Sequence, residues 1–266
     1  MQTDHGLSAR RCDRSLALSR SARHYRPRLR DDGPLMAAIE QHVKDNPGHG
    51  FGLLFAQALQ PQGFGKTRAW RVYVGLKLNF PRRGKRRLPE RMREPLEIPM
   101  TANHTWSADF MSDALWSGRR FRTFNVNDDF NRESLKIEID SSLPSVRVIR
   151  ALDELVELRG APRRLRLDNG PEFISAALKQ WAHQQGVELL HIQPGKPTQN
   201  AYIERFNRTF CTEVLDRYVF TTLTEVRRMA DDWRHRYNHH RPHRSLGGMT
   251  PVHYAMAQSP STSTCD

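Results

Sequence analysis

The stretch Arg164-Leu165-Arg166-Leu167-Asp168-Asn169-Gly170-Pro171-Glu172-Phe173 decides how the middle of this 266-residue chain folds. Arg164 to Leu167 alternates polar and apolar side chains, the period of a strand, and Asn169-Gly170-Pro171 are turn residues that end it. Asp168 therefore sits at a strand end. Downstream, Phe173 to Gln185 carries a helical pattern, Val187 to Ile192 a further strand, and Thr198 to Leu215 a long helix. Upstream, His104 to Met111, Arg119 to Val126 and Leu135 to Ile139 read as three strands. An amphipathic helix follows over Val146 to Leu158, with Ile149, Leu152, Leu155 and Val156 inward. Three strands followed by alternating helix and strand predict an α/β fold: a mixed sheet flanked by helices, with ligands gathered at strand ends.

Two further acids share that frame. Asp109 lies in the alternating run Trp106-Ser107-Ala108-Asp109-Phe110. Glu204 lies in the helix-like Asn200-Ala201-Tyr202-Ile203-Glu204-Arg205-Phe206-Asn207, with thirty-five residues between it and Asp168. Three converging carboxylates cage hard divalent cations, which prefer oxygen ligands. Two such ions clamp the attacking and leaving oxygens of a phosphoryl displacement. In that arrangement Asp109 bridges two Mg²⁺ ions, and Asp168 and Glu204 each complete one site. Taken singly, the same residues have plainer readings. Asp before Asn-Gly is turn chemistry, and Glu before Arg on a helix is a solvated pair. Asp113, Asp128, Asp129 and Asp140 compete as ligands. Asp128 and Asp129 fall where a solvated hairpin turn is expected, and Asp140, following a strand, is the best substitute.

The formal net charge is +13, and its excess is N-terminal: residues 1–100 hold 20 Lys and Arg against 9 Asp and Glu, residues 101–266 hold 22 against 20. Such a footprint suits phosphate backbones. Within the basic, helical region 1–80, helices are expected over residues 34–47, 51–59 and 66–73. The last two, across a Gly-containing turn, suit a helix-turn-helix with Lys66, Thr67, Arg68 and Arg71 on the outer face of its second helix. The alternative is an ordinary helical hairpin with solvated charges. Gly65-Lys66-Thr67 is not a phosphate loop, because the required earlier Gly is Gln60 and no strand precedes it. Residues 81–100, basic and proline-rich, read as a linker, 101–215 as the core, 216–257 as a helical C-terminal extension, and 258–266 as a disordered tail. Cys12, Cys211 and Cys265 are too scattered for a zinc site and fit a reducing cytoplasm. No apolar run reaches the roughly 20 residues that span a bilayer.

Asp168 through Phe173, Pro194-Gly195-Lys196-Pro197-Thr198-Gln199 continuing to Asn207, and Tyr237-Asn238 through Arg241-Pro242-His243-Arg244-Ser245-Leu246 with Thr250-Pro251 together resemble insertion-sequence transposases. The likeness is to the catalytic, orf B product of the two-reading-frame type, in the retroviral-integrase-like DDE superfamily. It spans most of the chain, and Cys12, Leu18, Ser19, Ser21 and Tyr25 are similar to that product's usual opening. The resemblance implies a ribonuclease-H-like core using two Mg²⁺ or Mn²⁺ ions, with Asp109, Asp168 and Glu204 as catalytic and metal-binding residues. It implies cleavage at terminal inverted repeats and strand transfer into target DNA by direct transesterification. It also implies a homo-oligomer on DNA, an orf A partner or a frameshift fusion with it, and a cytoplasmic, nucleoid-associated protein. Lys196 is placed to touch DNA near the ions, and Asn200 and Asn207 either organise the site or serve as helix caps or surface polar residues.

The chain departs from the family twice. Seven residues after Glu204, where the family has Lys or Arg for DNA, stands Cys211, with Arg208 one turn from Glu204 as a substitute. Gly52-Leu53-Leu54 stands where the family is basic. The rival readings are a ribonuclease-H-like nuclease that cuts without joining, and a decayed copy that only binds DNA.

Overall fold

The computed structural model describes residues 6, 8–17, 19, 31–79, 96, 99–193 and 197–258. Most of the expected linker, Lys196, Leu18, Ser21, Tyr25 and residues 259–266 of the tail lie outside them.

After a short helix α1 (Ala9–Ser15), three helices make a small unit. Helix α2 (Gly33–Asp45) places Pro34 in its first turn, where a missing N–H leaves no bond unmade. Helix α3 (Phe51–Leu54) runs into a π-helical turn (Phe55–Leu59), and helix α4 (Lys66–Gly75) follows. Leu35, Ile39, Leu54, Leu59, Ala69 and Tyr73 form their shared core, so Leu54 of the Gly52-Leu53-Leu54 departure is a packing residue. On α4, Lys66 and Arg71 are exposed, whereas Arg68 turns back onto the unit itself. Its Nε donates to Asp32 Oδ1 at 2.7 Å and its Nη2 to the Asp31 carbonyl at 2.6 Å, while Arg71 Nη2 reaches Asp32 Oδ2 at 2.9 Å.

Five strands follow: β1 (Thr105–Ala114), β2 (Arg120–Asp128), β3 (Ser134–Asp140), β4 (Arg164–Leu167) and β5 (Glu188–His191). Their order is β3-β2-β1-β4-β5, with β1, β2 and β3 antiparallel neighbours and β4 and β5 parallel to β1. Helix α5 (Ser145–Arg159) joins β3 to β4, and α6 (Ala176–Gln185) joins β4 to β5. The alternation of strand side chains divides the core in two. Trp106, Ala108, Phe124, Val126, Leu165 and Leu167 face α5 and α6 through Leu152, Leu155, Leu178 and Trp181. Leu115, Phe121, Ile137 and Ile139 face the opposite layer.

That second layer is C-terminal. A 3₁₀ turn (Pro197–Asn200) leads into α7 (Ala201–Phe210), a π-helical turn (Cys211–Leu215), α8 (Leu223–His239), a 3₁₀ turn (Arg244–Leu246) and α9 (Pro251–Gln258). The single helix expected over Thr198 to Leu215 is thus a helical run whose pitch changes twice. Phe206 and Phe210 pack on Trp233, with ring centroids 5.5 and 5.1 Å away, and Phe206 meets Tyr237 edge-on at 5.1 Å. One buried cluster therefore crosses the boundary expected at residue 215. The Tyr-Asn motif at 237–238 has a local explanation. Asn238 Oδ1 accepts from Ser134 N and its Nδ2 donates to Ser134 O, both at 2.9 Å, so the side-chain amide continues the ladder on edge strand β3. The N-terminal unit touches this layer too: Gln57 Nε2 donates to the His240 carbonyl at 2.8 Å.

Asp128 and Asp129 overturn the expectation of a solvated turn, since both are fully buried. Asp129 accepts from Ser107 Oγ at 2.7 Å and pairs with Arg166. Asp128 accepts from the backbone N–H of Asn103 and of Phe130, at 2.8 and 2.9 Å. Burial pushes the Asp128 carboxyl up to about 6. These acids are sheltered because β4 supplies a cation and the chain around them supplies donors.

Candidate active site

Asp109 sits in the middle of β1, on the face toward α7. Its strand partner on β2 is Asn125. On the other side, β4 pairs in parallel with Thr105 opposite Arg164 and Ser107 opposite Arg166. The same offset carried two residues further sets Asp168 level with Asp109, on strands about 4.8 Å apart. The turn after β4 fixes Asp168 there. Its Oδ1 accepts from Gly170 N at 2.8 Å, and a Cβ on Gly170 would lie 3.0 Å from that oxygen, so a side chain there would crowd the carboxylate. Phe173, fully buried, stacks on Phe110 of β1 at 4.8 Å and pins the far end of the turn, while Glu172 pairs with Arg122.

Glu204 comes from the other layer. It is exposed in the first turn of α7, and Asn207 lies one turn on, on the same helix face. Asn207 Nδ2 donates to Asp109 Oδ2 at 2.8 Å, and Asn207 Oδ1 accepts from Asn125 Nδ2 at 2.7 Å. A carboxylate can only accept, so the Asn207 amide must present its NH₂ to Asp109, and its oxygen then needs the Asn125 NH₂. This ordering leaves Asn125 Oδ1 buried with no partner among the described residues. The Asn125–Asn207 pair ties α7, and with it Glu204, to the strand carrying Asp109. Asn125 was not singled out in the sequence; its only signal there is a polar residue within Phe124-Asn125-Val126-Asn127 of an otherwise well-buried strand.

Burial, and then the charges of Asp168 and Glu204, push the Asp109 carboxyl up to about 6, against the pull of the Phe110 N–H and the Asn207 amide. The three acids thus feel one another. Most of the chain's other buried or half-buried acids have a basic partner: Asp129 with Arg166, Glu133 with Arg159, Glu138 and Asp140 with Arg147, Glu172 with Arg122, Glu213 with Arg241. Asp140, the substitute ligand, is spent in this way and is also 3.5 Å from Arg227. No Lys or Arg among the described residues pairs with Asp109, Asp168 or Glu204. Nor are three or more His, Cys, Asp or Glu side chains gathered tightly enough among the described residues to form a ready cation cage.

Of the expected DNA contacts, Arg208 is exposed one turn past Glu204, and Lys66 and Arg71 are exposed on α4. Arg68 is engaged by Asp31 and Asp32, and Lys196 lies outside the described residues. Cys211 points its Sγ at Asp216 Oδ1, 3.4 Å away. Burial, with Asp216 and Asp113 nearby, pushes the thiol up to about 11.

The integrase core domain family matches residues 99–197, and a second integrase core domain family matches residues 185–251. The 31.7 kDa protein of insertion element IS407 from Burkholderia multivorans is 40% identical over 252 residues, covering 94% of this chain and 91% of that protein. The 39.2 kDa protein of insertion element IS476 from Xanthomonas euvesicatoria is 39% identical over 252 residues, covering 94% of this chain and 72% of that protein. Among solved structures, a chain of the simian T-cell lymphotropic virus intasome in complex with PP2A regulatory subunit B56 gamma aligns with a TM-score of 0.52 at 16% identity. That alignment covers 82% of this chain and 74% of that one, a likeness of fold. The sheet order, the helices on both faces and these relatives agree: the chain belongs to the insertion-element transposases of the integrase-like superfamily, built on a ribonuclease-H-like core.

Proposed function

We propose that Asp109, Asp168 and Glu204 are the acids with which this transposase cuts the ends of its element and joins them to target DNA. What supports the reading is that the β1–β4 register, carried two residues past Ser107–Arg166, levels Asp168 with Asp109, that Asn207 ties the helix of Glu204 to Asp109, and that none of the three acids pairs with a Lys or Arg among the described residues. The donor set is all oxygen, the chemistry Mg²⁺ or Mn²⁺ prefers. Each Asp109 oxygen accepts one hydrogen bond, from Phe110 N or from Asn207, and keeps a free lone pair. Asp109, Asp168 and Glu204 are the residues that would hold such ions. Bound there, the ions would acidify the attacking water or 3′-hydroxyl and stabilise the departing oxygen.

The protein's own contribution is placement. Gly170 and Phe173 hold Asp168, Asn207 holds Asp109, and the Phe206–Trp233–Tyr237 stack holds the helix of Glu204. Lys66, Arg68, Arg71, Lys196 and Arg208 are the proposed DNA contacts at the terminal inverted repeats and target. Arg68 must leave Asp32 to serve. An orf A product and further copies of this chain complete the assembly. Labelled element ends give the test: Asp168→Asn abolishes both cleavage and strand transfer while DNA binding persists. Unchanged cleavage would sink the assignment, and cleavage without joining by the natural chain would make it a nuclease.

A further inference from the structure

Strands β1 and β2 are closed by a tight turn over residues 115–119. Leu115 N donates to the Arg119 carbonyl at 2.9 Å and Gly118 N to the Leu115 carbonyl at 2.8 Å, with Gly118 in the left-handed region at φ 81°. Leu115 is buried beside Phe121, Phe210 and Phe220, so the base of the turn is anchored in the second core cluster. Trp116 N donates to the Phe220 carbonyl at 2.7 Å, fastening the tip to the loop after the π-helical turn. On this rigid platform the Trp116 side chain is 78% exposed, and Val219 beside it is 65% exposed. Residues 116–120 are exposed throughout, and neither Arg119 nor Arg120 has a side-chain partner among the described residues.

A large aromatic held in water on a preorganised turn, with two unpaired guanidiniums next to it and no acid from 114 to 120, suits a stacking surface flanked by phosphates. Its position favours DNA as the occupant. Strand β1 runs unbroken from Asp109 to the tip, a span of about 20 Å at roughly 3.3 Å per residue. At 3.4 Å per nucleotide on one strand, that is about six nucleotides. Exposed Arg208 lies just past Glu204, on the helix packed along the same strand.

We infer that the β1–β2 tip is a wedge for frayed DNA: Trp116 stacks on an unpaired base about six nucleotides from the cut, and Arg119 and Arg120 hold the phosphates on either side. The inference rests on the reading of Asp109, Asp168 and Glu204 as the cutting acids. It predicts that the protein prefers a forked end over a blunt duplex of the same sequence.

The experiment measures binding of the full chain to forked and blunt element ends without divalent cations, with 2-aminopurine stepped along the unpaired strand. The natural chain binds the fork about tenfold more tightly and changes the 2-aminopurine emission most at about four to eight nucleotides from the cut. Trp116→Ala loses both effects while its circular dichroism is unchanged, and Trp116→Phe keeps most of each. Arg119→Gln with Arg120→Gln lowers the slope of log affinity against log salt by about two. A natural chain without fork preference overturns the inference. So does a Trp116→Ala chain that behaves like the natural one, or one that loses self-association while keeping the fork preference. Asp168→Asn is run alongside: if it still cuts, the triad reading fails, whereas the 2-aminopurine response reports on the wedge alone.

Discussion

Asn125→Ala and Asn207→Ala, singly and together, test whether the amide pair behind Asp109 is a unit. In Asn207→Ala, the fully buried Asn125 loses the only hydrogen bond its side chain makes among the described residues, leaving a buried donor unsatisfied at roughly 1–3 kcal/mol. The bond to Asp109 also goes, but water reaches that half-buried carboxylate and recovers part of it. The single change should therefore cost about 2–4 kcal/mol. Asn125→Ala strands only the Asn207 oxygen and removes an oxygen that was already unpartnered, so about 1–2 kcal/mol is expected. The double variant strands neither amide against the other, and its cost should fall short of the sum by about 1–3 kcal/mol. Urea unfolding followed by circular dichroism measures all three. Additivity within about 0.5 kcal/mol would refute the relay. Cleavage supplies the functional half: Asn125 makes no proposed DNA contact, yet Asn125→Ala should slow end cleavage about tenfold at unchanged DNA affinity, through a loosened Asp109. Full activity in a protein with a coupled cycle would reduce the pair to a packing device.

Cys211→Arg should pair with Asp216 and Asp113, raising the melting temperature and leaving the salt dependence of DNA binding unchanged; a slope steeper by about one would show the guanidinium on phosphate instead. Gly48→Ala places a Cβ 2.9 Å from Glu213 Cγ, and Glu213 is held by Trp233 Nε1 and Arg241, so it should cost about 1–3 kcal/mol and open the N-terminal unit to limited proteolysis. Burial, helped by Arg241, Arg132 and Arg205, pushes His243 down to about 4. The folded state then refuses a proton that the unfolded chain takes near 6.5, so the stability His243 contributes is complete above that pH and is lost as pH falls toward 4. The loss is worth about 3 kcal/mol. Asp128, pushed up to about 6, titrates with the opposite sign, so the clean measurement is the difference between the natural chain and His243→Phe, which should flatten this component between pH 6.5 and 4.

What the sequence made legible was whatever depends on near neighbours. Alternation marks β1, β3 and β4, and apolar spacing marks helix α5, because each of those patterns repeats within a single element. Asp168 was readable as a strand-end residue since its turn follows it directly. Asp128 and Asp129 were misread for the complementary reason. Two adjacent acids look like a turn; Asp129 is sheltered by Arg166, thirty-seven residues on in sequence and brought in only when β4 pairs with β1, and Asp128 by the N–H groups of Asn103, twenty-five residues back, and of Phe130. Asn125 escaped notice because its partner is eighty-two residues distant. Arg68 looked like a DNA contact because nothing near it in sequence announces the carboxylate of Asp32. The pitch changes in the run from Pro197 to Leu215 were also hidden, since the apolar spacing of Ile203, Phe206 and Phe210 fits a plain helix.

The position of Glu204 has a further consequence. Its helix makes few polar ties to the sheet beyond Asn207, and its apolar face, Ile203, Phe206 and Phe210, closes against Trp233 and Tyr237 of α8. Helix α8 is in turn fixed to edge strand β3 by Asn238, by Arg227 to the Ile139 carbonyl at 2.9 Å, and by Arg234 to the Leu135 carbonyl at 3.2 Å. Two of the proposed acids are thus set by the register of the sheet, and the third by a helix whose footing lies after residue 216. A C-terminal segment that contributes no acid still decides whether the third acid reaches the other two. On that ground Tyr237 and Asn238 belong with the core: Tyr237 packs on Phe206 and Asn238 holds the same helix α8 to β3, so a cut made between α7 and α8 should loosen the helix of Glu204 without removing any of the proposed acids.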